Sequence, residues 1–175
     1  MKNLHTILFF CMMLLSAALV TSCSSDEEEI PEPEPTPTAM EPMLTATIWD
    51  GPNITFTKED GTDETLEGNQ DRITDNVWIT RGTAGGEIFN IRTESASTQG
   101  VSPDGTMWAI GTTSDLAGLE FDTFRNAVGS PQDVVGVDLV LLLVEDDILI
   151  DLTFTSWSQG RNGTGGFEYI RSTQP

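Results

Sequence analysis

Between residues 43 and 175 the chain is a succession of short runs rich in β-branched and aromatic residues, and that rhythm restricts its fold more than any other feature. "LTATIWDG", "NITFTKED", "NVWITRG", "EIFNIRTE", "TMWAIGTT", "VDLVLLLVE", "DILIDLTFTSW" and "FEYIRST" are each bounded by Gly, Asp, Asn or Pro, as strands separated by turns are. Alternation sets Ile54 and Phe56 against Thr55 and Thr57. It also sets Ile148, Ile150, Leu152 and Phe154 against Asp151, Thr153 and Thr155. "VDLVLLLV" is apolar on both phases after Asp138, which predicts a central strand covered on both faces. Hairpin turns are predicted at 82–86 and 145–147, and the Gly-rich stretches 82–86 and 160–166 suit positive φ. The one helical signal lies within 114–128, with Leu116, Leu119, Phe124 and Val128 on one face. Gly118 weakens it, and the alternative is a strand at 119–121 followed by a single helical turn at 123–128. The expected fold is all-β: a single antiparallel β-sandwich or jelly-roll-like domain of about eight strands with at most one short helix. About 130 residues suffice for one core.

The N-terminus is a different kind of sequence. Lys2 and His5 precede an apolar run from Ile7 to Val20 broken only by Ser16, the length of a signal-peptide hydrophobic region and too short to span a bilayer comfortably. We expect export. From 30 to 42 the chain reads "IPEPEPTPTAMEP", where prolines fix φ and glutamates repel. An extended tether of roughly 35–40 Å is predicted. The expected organisation is a signal at 1–22, an acidic and Pro-rich tether at 23–42, and the β domain at 43–175.

Val20-Thr21-Ser22-Cys23 resembles the bacterial lipobox. The resemblance implies cleavage between Ser22 and Cys23 and lipidation of the Cys23 thiol, the good nucleophile available at neutral pH. Cys11, the other cysteine, lies within the signal. Ser24, Ser25, Asp26, Glu27, Glu28 and Glu29 follow directly and resemble the Ser-then-acidic export signal of Bacteroidota surface lipoproteins. That likeness implies a lipid-anchored location on the outer membrane, facing the cell exterior. "DRITDNVWITRG" (71–82) and "DILIDLTFTSWSQGRNGTGGFEYIRST" (147–173) are similar to segments of a little-characterised all-β module of secreted Bacteroidota proteins. This supports the fold and implies no catalytic residue.

The charge balance excludes some partners. Loss of Lys2 with the signal leaves 7 Lys and Arg against 28 Asp and Glu, so nucleic acid and anionic headgroups are poor ligands. Asp60, Asp63 and Glu64 in one acidic run, and Asp146 and Asp147 in another, offer hard oxygen ligands that calcium could use. Neither run has EF-hand spacing, and charged hairpin tips also serve solubility alone. His5 is the only histidine and leaves with the signal, so no Ser-His-Asp, Cys-His or histidine-ligated zinc site can be assembled. We therefore expect no enzyme and no obligatory cofactor.

Aromatic residues supply the remaining candidates. Trp78 in "VWIT" and Trp108 in "MWAI" are expected in the core. Trp49 and Trp157 sit at strand ends, where exposure and sugar stacking are open to them, though core or rim packing is slightly favoured even there. Arg81, Arg92, Arg161 and Arg171 are among few cations, and each is expected to pair with an acid near the sheet surface. The expected function is that of a surface-anchored, non-enzymatic binding or accessory module, attached to the membrane by lipid and taking a glycan or protein ligand. The alternatives are a carbohydrate-binding sandwich using Trp49 and Trp157, and a calcium-stabilised adhesive module.

Overall fold

All eight runs become strands in the computed structural model, which describes residues 45–159 and 164–175. The signal, Cys23, the acidic stretch and the tether lie outside the described residues, as does Arg161. In chain order the strands are β1 (Thr47–Trp49), β2 (Ile54–Lys58), β3 (Asp71–Arg72), β4 (Trp78–Arg81), β5 (Ile88–Asn90), β6 (Thr106–Ile110), β7 (Asp138–Leu143), β8 (Ile148–Trp157) and β9 (Phe167–Arg171). β3 is the addition that the composition does not announce. It is two residues long and pairs with β4.

Two sheets form an all-β sandwich. The larger runs β2-β9-β8-β7-β6, with β1 also on β8; the smaller runs β3-β4-β5. Ile79 and Ile88 of the small sheet share one core with Leu139, Leu141, Ile150, Leu152 and Phe154 of the large one. The fold is not wholly antiparallel, because β1 runs parallel to β8. β8 is ten residues long. Its first half pairs with β1 and its second half with β9, while β7 pairs along Ile148–Thr153.

β7 is covered on both faces, as its unbroken apolar run requires. Leu139, Leu141 and Leu143 enter the main core. Val140 and Leu142 enter a second cluster with Ala109, Leu119 and Leu149. That second cover comes from β1 and from residues 113–121, where Thr113–Gly118 is 3-10 helical. Residues 119–121 are not a strand; only Asp122 bridges to Trp108 of β6. The short helix α1 (Phe124–Val128) follows, its first turn capped by the Thr123 hydroxyl accepting from the Asn126 amide. It plugs the core with Phe124, whose ring meets Trp108 edge-on at 5.0 Å. Ile54 is exposed at the start of the edge strand β2, while Phe56 on the same face packs against the core.

Both predicted hairpins form. Arg81 pairs with Ile88 across 82–87, and Leu143 with Ile148 across 144–147. Gly85 and Gly86 have φ of 97° and Gly165 has 133°, all in the region that favours glycine. A Cβ on Gly165 would lie 2.1 Å from the Gly82 carbonyl oxygen. The β4–β5 turn and the entry to β9 therefore touch backbone to backbone.

Candidate functional site

A β-bulge positions the site. Along β8, Phe154 pairs with Tyr169 but Ser156 pairs with Glu168, the next residue of β9 inward along the strand. One extra residue on β8 shifts the phase of everything after it. Phe154 and Trp157, three apart, consequently both face the core. Trp157 is 8% exposed, so of the two placements open to it core packing holds and the exposed sugar-stacking one does not. Its ring meets Phe154 at 5.6 Å, Phe124 at 5.9 Å and Phe167 at 6.3 Å. Trp49 is half-buried and packs against the same core. The two strand-end tryptophans do not form a coplanar exposed platform.

Over Trp157 lies Arg81, its guanidinium carbon 4.0 Å from the ring centroid. Arg81 is 4% exposed. Its Nε donates to the Gly86 carbonyl, and Nη1 donates to the Ser158 and Gly166 carbonyls, all at 2.8–3.0 Å. Among the described residues no carboxylate forms an ion pair with it, contrary to the expectation of a surface ion pair. Burial pulls its pKa down to about 10, with Asp60 opposing that shift, and it remains cationic at neutral pH.

Arg81 and Trp157 form the floor of a cleft of about 430 Å³ between the β4–β5 hairpin and the end of β8. On its wall Arg125 of α1 donates through Nε to Glu87 Oε1 at 2.6 Å. Glu87 is buried and also accepts from the Gly100 amide. The rim carries three amides, Gln99, Gln132 and Gln159, and three hydroxyls, Ser97, Ser130 and Ser158. Such groups donate and accept hydrogen bonds in either sense. A Cβ on Gly86 would lie 2.7 Å from the Ser97 hydroxyl oxygen, which can turn aside, so it is the φ of 97° that calls for glycine in that wall. Sequence reading singled out Trp157 here but missed Glu87, Arg125 and the glutamines, which come from distant segments with no shared motif.

The acidic residues do not converge. Among the described residues no group of three or more His, Cys, Asp or Glu side chains is placed to hold a metal ion. Asp63 accepts from the Thr65 amide and hydroxyl, Glu64 from the Thr83 hydroxyl and amide, and Asp60 from the Ser158 side chain and the Gly166 amide. These hydrogen bonds hold all three carboxyls below their usual range. Between them sits Lys58, 1% exposed, its ammonium donating to the Thr62 carbonyl at 2.8 Å. Burial lowers its pKa, while Glu64, Asp60 and Asp63 act in the opposite direction. Lys58 is thus the internal cation of the acidic loop. Asp146 is taken by Thr74 and Asn76, and Asp147, at φ 53°, by Thr45.

Trp78, expected in the core, lies on the outer face of the small sheet and is half-buried. Arg72 and Arg92 stand 4.3 and 5.6 Å from its ring centroid, so Arg92 meets an aromatic face where an acid was expected. Trp108 is fully buried, as expected. Among the described residues no helix is long and apolar enough to cross a membrane. A scan against protein-family models, a search of curated proteins and a search of solved structures each return no match for this chain.

Proposed function

We propose that this protein is a lipid-anchored, non-enzymatic binding module on the outer face of the outer membrane. The address rests on the lipobox ending at Cys23 and the acidic residues behind it. The binding role rests on the cleft floored by Trp157, whose volume is that of a small-molecule site (roughly 300–1,000 Å³). Its lining of amides, hydroxyls and guanidinium groups favours a glycan as the ligand, since a polyhydroxylated molecule needs partners that both donate and accept. Trp157 contributes as a rigid base under Arg81 and not as an exposed stacking surface.

Cys23→Ala should remove metabolic palmitate label and release the protein from membranes or leave an uncleaved precursor. Alanines at Asp26, Glu27, Glu28 and Glu29 should keep the label while protecting the protein from protease added to intact cells. Undiminished label on Cys23→Ala would refute the anchor, and equal shaving of the acidic-stretch variant would reduce that stretch to a spacer.

A further inference from the structure

On the reading of the cleft as a glycan site, we propose that its ligand carries a carboxylate: the cleft is a subsite for a uronic acid residue of an acidic polysaccharide. The chain bears 28 acids against 8 cations, yet two guanidinium groups and only one carboxylate line this cleft. The one acid, Glu87, is spent. It is buried, engages Arg125 through Nε and accepts from the Gly100 amide. Within the described residues the terminal nitrogens of Arg125 donate no hydrogen bond, and its side chain is 33% exposed. A planar guanidinium with free terminal nitrogens is suited to bidentate capture of a carboxylate.

Behind it, Arg81 is buried with only neutral carbonyl acceptors and a tryptophan face for company. Asp60, the acid that acts on Arg81 through space, lines the adjoining depression on the other side of Ser158 and makes no ion pair with it. A cation taken out of water with no carboxylate in direct contact is costly, and an incoming carboxylate offsets that cost. The amide and hydroxyl rim then serves the hydroxyls of the sugar ring. The remote acids oppose a polyanion only weakly at physiological salt, where the screening length is about 8 Å. Contact inside the cleft is screened far less.

The test is calorimetric titration of the intact protein, at physiological ionic strength, with tetrasaccharides of galacturonate, glucuronate and mannuronate. Each is paired with its carboxyl-reduced neutral counterpart, and a Glu-terminated tetrapeptide is added. At least one uronate should bind about tenfold or more tighter than its reduced form, the value of a charge-assisted contact. Arg125→Gln should erase that difference. Glu87→Gln, which frees Arg125 and leaves the cleft more positive, should widen it. Melting curves confirm that each variant is folded. Equal binding of neutral and acidic sugars would overturn the carboxylate assignment and leave the glycan reading standing; no sugar binding would overturn both. Preferential binding of the peptide would move the carboxylate to a protein source, and an uronate preference that survives in both variants would place it elsewhere on the surface.

Discussion

Two charged side chains on the inner face of the small sheet, Asp71 and Arg81, point at the large sheet and meet opposite fates. Asp71 finds Arg171. The guanidinium donates through Nε to Oδ2 at 2.7 Å and through Nη2 to Oδ1 at 2.8 Å, and the Tyr169 hydroxyl donates to Oδ2 at 2.5 Å. All three residues are buried. Burial alone would lower the Arg171 pKa, but the hydrogen bonds and charge of Asp71 raise it. Burial first, and Asp71 second, push the Tyr169 hydroxyl well above its usual range. Arg81 finds a tryptophan ring and three carbonyls. The first arrangement is closed: its donors and acceptors satisfy one another, and it pins one sheet to the other. The second is open, because no carboxylate pairs with it directly and Asp60 acts on it only through space. Burial of charge is thus closed by an ion pair in one place and left without one in the other.

The largest expected effect comes from breaking the closed arrangement. Asp71→Asn leaves Arg171 buried without its counter-ion and should destabilise the fold by about 3–5 kcal/mol in urea titration. Asp60→Asn, the equivalent removal beside Arg81, should change stability little. Similar losses from the two substitutions would erase the distinction between them.

A smaller effect is expected at the acidic loop, where the buried Lys58 ammonium feels Glu64, Asp60 and Asp63 through space. Lys58→Met keeps the apolar stem but removes the ammonium bonded to Thr62, at a cost of about 1–2 kcal/mol. In the wild-type protein millimolar calcium should raise the melting temperature no more than sodium at matched ionic strength. In Lys58→Met the uncompensated Asp60, Asp63 and Glu64 should make calcium the better stabiliser. A calcium-specific rise in the wild type, abolished by alanines at those acids, would restore the metal reading.

The smallest concerns a half-buried carboxylate that is neither closed nor open. Hydrogen bonds from Thr155 and then Thr57 hold Glu168 below the usual glutamate range. Because the folded pKa is depressed, this contribution is complete above the unfolded value near about 4.3 and is lost as pH falls through the folded one. Thr57→Val combined with Thr155→Val should move the Glu168 titration, followed by NMR, upward toward that value. An unmoved midpoint would show that the threonines do not set it.

The strand positions were legible because each run carries its own propensity and ends at its own turn residues. β7 also announced its double cover, since Leu139 to Leu143 leave no polar phase for solvent. β3 was not legible. Two residues, Asp71 and Arg72, carry no periodicity, and their pairing is set by β4. Trp78 was misplaced for a related reason. "VWIT" reads as core from composition, but the register puts Trp78 opposite Arg72 on the outer face and Ile79 inside.

The sequence by itself determined an all-β domain of short strands with its turns. The address proposed for the N-terminus rests on equally local signals, in residues outside the described structure. In both cases the signal is carried by neighbours in the chain. Only the tertiary structure decided which way Trp157 faces, because strict alternation after Phe154 would turn it outward and the bulge at Thr155 turns it in. It alone decided that Arg81 and Arg125 would share a cleft with Glu87 while Arg171 closed on Asp71. Side chains 38 and 100 residues apart meet only when the sheets pack, and no local pattern encodes which charge will find a partner.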